Sequence, residues 1–117
     1  MEPKTLSSSI VQNFIPARKS SSRKGDNGIV LVIGGSYIYH GAPVLSSLAA
    51  LRCGTDLVYT SVPKINVTST RSISPNLIVI PLVDQKLTLG AVKKLVGALP
   101  RNLHSATIGM GLAIQEK

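Results

Sequence analysis

The chain has 117 residues, 44% of them hydrophobic, which suits one ordinary domain with a buried core and excludes a disordered polymer. Only 15% are charged, yet 13 Lys and Arg stand against 5 Asp and Glu, for a formal charge of +8. That surplus suits an anionic partner, while the lack of Trp and the single Phe leave little for bases to stack on and argue against nucleic acid.

In chain order, "LSSSIVQNFIP" reads as a short helix stopping before Pro16. A basic, Ser-rich loop follows over 15–27, carrying Arg18, Lys19, Arg23 and Lys24, and a solvated loop is expected there. Ile29 to Ile33 is an unbroken apolar run closed by Gly34-Gly35, the pattern of a strand buried on both faces in a parallel sheet. Pro43 suits the first turn of a helix, with Val44, Leu45, Leu48 and Leu51 at helical spacing and Gly54 as its C-terminal cap. Cys53 falls in that pattern where a small buried residue fits; as a single cysteine it forms no internal disulfide, which is consistent with a reducing compartment.

Residues 56–62 read as a second strand ended by Pro63, and 76–82 as a third, while 64–74 is too polar to assign. Leu89, Val92, Leu95, Val96 and Leu99 mark an amphipathic helix from near Thr88 to Pro100. A last short strand over 105–109 runs into Gly111. No apolar stretch approaches the roughly 20 residues a bilayer span needs, and the first residues lack the basic-then-apolar order of a signal peptide. A soluble, cytoplasmic protein is expected.

Alternating strands and helices imply a three-layer α/β/α architecture on a mostly parallel sheet with right-handed crossovers. Ligands of such sheets sit beyond the carboxyl ends of the strands, where the loops 34–43 and 109–113 should converge. The basic loop 18–26 enters the first strand from the opposite edge.

No segment supplies the lysine of a Walker A loop. "GMGLAI" matches the first two glycines of Gly-x-Gly-x-x-Gly, but Ile114 holds the third position and no βαβ unit is completed. The glycines in both loops let backbone N–H groups approach a ligand; a tight turn with no ligand explains each loop equally well. His40 and His104 have no partner at a defined spacing, Asp26, Asp56 and Asp84 form no motif with a neighbour, and metal-ligand spacing is absent.

The stretch "KGDNGIVLVIGGSYIYHGAPVLSSLAALRCGTDLVY" resembles the start of the ADP- or ATP-dependent NAD(P)H-hydrate dehydratase domain, a ribokinase-like fold. The matching residues are Lys24-Gly25-Asp26 with Gly28, Gly34-Gly35-Ser36, Tyr39 followed by Gly41-Ala42-Pro43, and Arg52 before Gly54. Further on, "SPNLIVIPL" is similar to the family's Ser-Pro-Glu-Leu-Met-Val strand and "IGMGLA" to its Gly-Pro-Gly-Leu-Gly turn, with Met110 in place of the proline and Ala113 in place of the last glycine.

The resemblance implies repair of hydrated NADH or NADPH, written NAD(P)HX: ADP or ATP, with Mg2+, phosphorylates the added hydroxyl, and loss of the phosphate restores the nicotinamide. It also implies that Ala42 and Gly111 contact the hydrated dinucleotide, with Gly35, Tyr39 and Gly41 shaping the pocket. Residues 1–117 would then be the substrate-binding, N-terminal part of an incomplete domain. The family's ADP-binding lysine and Gly-Thr-Gly-Asp turn, whose aspartate serves as base, are not in these residues, so no catalytic residue is assigned and the chain alone is expected to be inactive. A complementary C-terminal segment or a homo-oligomer is the expected partner, since the strand over 105–109 would otherwise leave an unpaired edge. Two alternatives stay open: a ribokinase-like kinase of a small alcohol such as a thiazole or pyrimidine precursor, and a non-enzymatic basic module binding through residues 18–24.

Overall fold

The computed structural model describes residues 5–15 and 17–113. Four parallel strands, β1 (Ile29–Ile33), β2 (Leu57–Pro63), β3 (Leu77–Leu82) and β4 (Ser105–Ile108), lie in the order β3-β2-β1-β4. Helices α2 (Gly41–Arg52), α3 (Val67–Ile73) and α4 (Leu89–Ala98) connect them in turn. Helix α1 (Ser8–Phe14) precedes the sheet, buries no residue, and is capped by the Ser7 hydroxyl, which accepts from the Ile10 N–H. Pro16, its expected stop, lies outside the described residues, as does Ile114.

Alternation along the strands divides the core into two layers. Val32, Val58, Val62, Leu77 and Val79 face α2 and α3, meeting Ala50, Leu51 and Val67. Leu31, Ile33 and Leu82 face the other way, onto Leu95 of α4 and Leu99 beyond it. Thus β1 is covered on both sides, as its unbroken apolar run requires. Edge strand β4 is exposed along its whole length. Among the described residues no helix is long and apolar enough to cross a membrane.

Several sequence expectations shift. The polar stretch 64–74, which carries no assignable pattern, forms a short 3-10 turn (Lys64–Asn66) and then α3, with Ser74 as its C-cap. That helix turns Thr70 and part of Val67 toward the sheet, so its inward stripe carries little of the apolar periodicity that marks a helix. Helix α2 begins at Gly41, ahead of Pro43, and its sheet-facing row is Val44 and Ser47, whereas Leu45 is 70% exposed. Ser47 is tolerated because its hydroxyl donates to the Pro43 carbonyl at 2.7 Å and shares a 2.8 Å hydrogen bond with Thr60. On α4, Ala91 and Leu95 are buried while Leu89 and Val96 point outward. Cys53 is exposed: it caps α2 at its C-terminal end, past the last turn that faces the sheet.

The basic loop reaches the N-terminal edge of the sheet, as its place in the chain requires. Asp56, which had no motif in the sequence, fixes it there. The side chain is only 6% exposed and pairs with Arg18. It also accepts from the Gly25 N–H at 2.9 Å, the Asn27 N–H at 3.0 Å and the Asn27 amide. The Asn27 N–H is the main cause holding this carboxyl below its ordinary range; burial opposes it, and the Asn27 amide, the Gly25 N–H and the Arg18 charge reinforce it. Gly25 (φ 103°) and Gly28 (φ 115°) supply the left-handed turns that let both loop N–H groups converge on one carboxylate.

Candidate functional site

From β1 the chain steps outward through β2 to β3, and then crosses to the far side of β1 to form β4. Loops leaving β1 and β4 therefore run in opposite directions and leave a crevice beyond the carboxyl ends of those two strands. Both glycine-bearing loops meet in it. Gly35 donates to the Met110 carbonyl at 2.8 Å, Gly34 donates to the Ser61 carbonyl at 3.1 Å, and Gly109 donates to the Ile33 carbonyl at 3.2 Å.

The glycines are needed here for close approach. A Cβ on Gly34 would stand 2.4 Å from the Met110 carbonyl oxygen. Gly111 has φ +71°, and a Cβ there would lie 3.0 Å from the Tyr39 Cβ and 3.7 Å from that of Ala42. Met110, the departure from the family's proline, contributes the carbonyl that clasps Gly35 and a side chain packed on the α2 and α3 side of the core. Loop 36–39 closes on itself, with the Ser36 N–H donating to the Tyr39 carbonyl at 3.0 Å and the Tyr39 N–H to the Ser36 hydroxyl at 3.3 Å. Asn66, 5% exposed, donates its amide to the Ser36 carbonyl at 2.8 Å and ties the loop to the turn after β2.

Tyr39 is thus the centre around which Gly35, Ala42 and Gly111 assemble, and its side chain remains 59% exposed. Gly41 stands apart, since a Cβ on it would meet only open space. Beside it α2 starts with no side-chain cap, His40 making none, which leaves the first-turn N–H groups of Gly41 and Ala42 open to a ligand.

A cavity of about 500 Å³ opens in front of Tyr39. One wall is Tyr37, Ile38 and Tyr39, and the facing walls are Gln85 with Lys86 and Leu112 with Ala113. An apolar shelf with one cation suits a flat heterocycle carrying phosphate. Lys86, Gln85 and Asn66 escaped the reading of the sequence. Their signal was positional: each follows the carboxyl end of a strand, β3 or β2, and such loops gather at the same edge of a parallel sheet. Among the described residues no group of three or more His, Cys, Asp or Glu is placed to hold a metal ion.

Comparison with known proteins agrees with this geometry. The family model described as NAD(P)H-hydrate dehydratase matches residues 30–117. A protein of Nitrosopumilus maritimus named ADP-dependent (S)-NAD(P)H-hydrate dehydratase is 81% identical over 117 residues, covering 100% of this chain and 41% of that protein. One of the same name from Cenarchaeum symbiosum is 67% identical over 107 residues, 92% of this chain and 37% of the relative. The chain therefore spans about two fifths of the length of these relatives. Among solved structures, a ribokinase-like superfamily protein of Enterococcus faecalis superposes with a TM-score of 0.77 at 25% identity, over 94% of this chain and 36% of that one. With the fold, the paired glycine loops and the matched residues in agreement, the chain belongs to the NAD(P)H-hydrate dehydratase family.

Proposed function

We propose that this chain forms the substrate-holding part of an ADP-dependent NAD(P)H-hydrate dehydratase acting in the cytoplasm. The observation that carries the reading is the convergence of the two glycine loops on Tyr39 and Ala42 at the crevice between β1 and β4. The hydrated nicotinamide lies on the shelf formed by Tyr39 and its neighbours, and Gly111 and Ala42 let it approach the backbone. Gly41 leaves space at the start of α2, and Gly35 joins the loop that carries Tyr39 to the second glycine turn by donating to the Met110 carbonyl. Two lines support ADP over ATP: the names of the two archaeal relatives, and their high identity over this chain. By this reading ADP and its Mg2+ are held by residues other than those described, belonging to a complementary segment that extends the sheet from β4 or to a second copy of the chain.

The test is a titration of hydrated NADPH into the 117-residue chain, followed by an assay for AMP release and recovery of NADPH absorbance. Saturable binding without turnover is expected, with Tyr39→Ala weakening the binding about tenfold through loss of the aromatic contact. Absence of saturable binding removes the substrate site. ADP-dependent turnover by these 117 residues alone overturns the division of labour.

A further inference from the structure

A second cavity lies at the other end of the sheet. It encloses about 670 Å³ between the basic loop and the turn before β4, lined chiefly by Lys19, Ser21, Ser22, Lys24, Asn102 and His104. Neither the substrate reading nor the glycine loops make any use of it.

Three features make it a formed site. First, the loop is fixed: Asp56 ties Arg18, Gly25 and Asn27 together, and Asp26, the only carboxylate among the described residues of the cavity wall, accepts from the Arg23 N–H at 2.8 Å. Second, the facing wall is fixed as well. The His104 N–H donates to the Ile29 carbonyl at 3.0 Å, and its Nδ1 accepts from the Ile29 N–H at 3.0 Å. That bond puts the imidazole proton on Nε2, which is left as a donor. Third, the charge is unbalanced. Among the described residues Arg18–Asp56 is the one ion pair, so Lys19 and Lys24 have no carboxylate partner. Two ammonium groups, serine hydroxyls, an asparagine amide and an imidazole N–H are predominantly donors, the complement of phosphate oxygens.

We propose that this cavity binds a small di- or polyphosphate, with Lys19 and Lys24 as its cationic ligands and His104 Nε2 as a neutral donor. The site is separate from the substrate crevice, because it lies at the amino ends of the strands. Among the described residues no Phe, Tyr or Trp lines it, which disfavours a nucleic acid held by base stacking.

Inorganic pyrophosphate is the probe, titrated calorimetrically against the full chain and against two variants, a Lys19→Gln/Lys24→Gln double variant and Lys93→Ala. Both lysines are exposed, so the double variant should fold, and its thermal midpoint checks that. Saturable binding is expected, weakened at least tenfold in the double variant and unchanged in Lys93→Ala, an exposed lysine of α4 that lines neither cavity. Should the double variant not fold, Lys24→Gln alone serves, with a loss of about threefold. No saturation, or equal affinity in the folded variants, overturns the proposal. So does binding of single-stranded RNA that depends on the same two lysines where pyrophosphate does not bind.

Discussion

The two ends of this parallel sheet are built by opposite means. At the carboxyl end, order comes from missing side chains: Gly34, Gly35 and Gly111 let two loops interlock backbone to backbone, and an apolar shelf forms in front of them. At the amino end, order comes from one buried carboxylate, Asp56, that gathers a hydrophilic loop with four cations. A contact made by close approach fails through added bulk, whereas one made by charge fails through protonation or loss of the acceptor. The two ends should therefore respond to different perturbations.

The sharpest way to break the first end is Gly34→Ala. The Met110 oxygen that the methyl would strike is backbone and already accepts from Gly35, so it has nowhere to retreat. Overpacking of this kind costs on the order of 3 kcal/mol, a large share of the roughly 5–15 kcal/mol that holds a domain together. The urea midpoint should fall accordingly, and an unchanged midpoint would mean that the clasp between the loops is not tight. Gly111→Ala should cost less, about 1–2 kcal/mol for a left-handed alanine plus crowding against Tyr39 at 3.0 Å. Its larger effect should appear as a loss of hydrated NADPH binding of at least tenfold, because Tyr39 must move to admit the methyl. Normal binding with lowered stability would separate the second turn from the substrate pocket.

Breaking the amino end calls for Asp56→Asn, which keeps the shape but removes the charge. The folded carboxyl titrates below its ordinary range, while the unfolded chain's titrates near about 4. Its stabilisation is therefore complete above the unfolded value and is lost as pH falls through the folded one. Thermal midpoints of the parent chain should drop on acidification below about pH 4. The variant should start lower at neutral pH and lose that part of the acid slope. Hydrated NADPH binding, measured at neutral pH, should be the same in both. A matching acid slope in the variant would show that some other carboxylate governs the loop.

The contrast also explains what could be read in advance. Ile29–Ile33 and its closing glycines announce a buried strand and a close-approach turn, because an unbroken apolar run and a double glycine have few other uses. The meeting of 34–43 with 109–113 followed from strand direction alone. Asp56 and Asn66 were silent because a polar residue's role is set by its partners in space, and these lie about 30 residues away along the chain. Leu45 and Val96 misled for the complementary reason: helical spacing marks an apolar stripe, but which part of the stripe meets the sheet depends on how the helix is rotated. Cys53 is exposed although it fits the pattern, because the pattern runs one residue past the last turn that touches the core.

The smallest expected effect is the most specific test of the carboxyl end. Lys86 is exposed and makes no ion pair among the described residues, so Lys86→Ala should leave the urea midpoint within about 0.5 kcal/mol of the parent. Among the described residues it is the one charged residue lining the 500 Å³ cavity, and a dinucleotide brings its charge as phosphate. One solvent-exposed ion pair contributes about 0.2–1 kcal/mol, so affinity for hydrated NADPH should fall about two- to fivefold. Added salt should weaken the parent more than the variant, because the lost contact is the screened one. If the two salt dependences coincide, the phosphates lie elsewhere, and the shelf of Tyr37, Ile38 and Tyr39 would hold the dinucleotide by its rings alone.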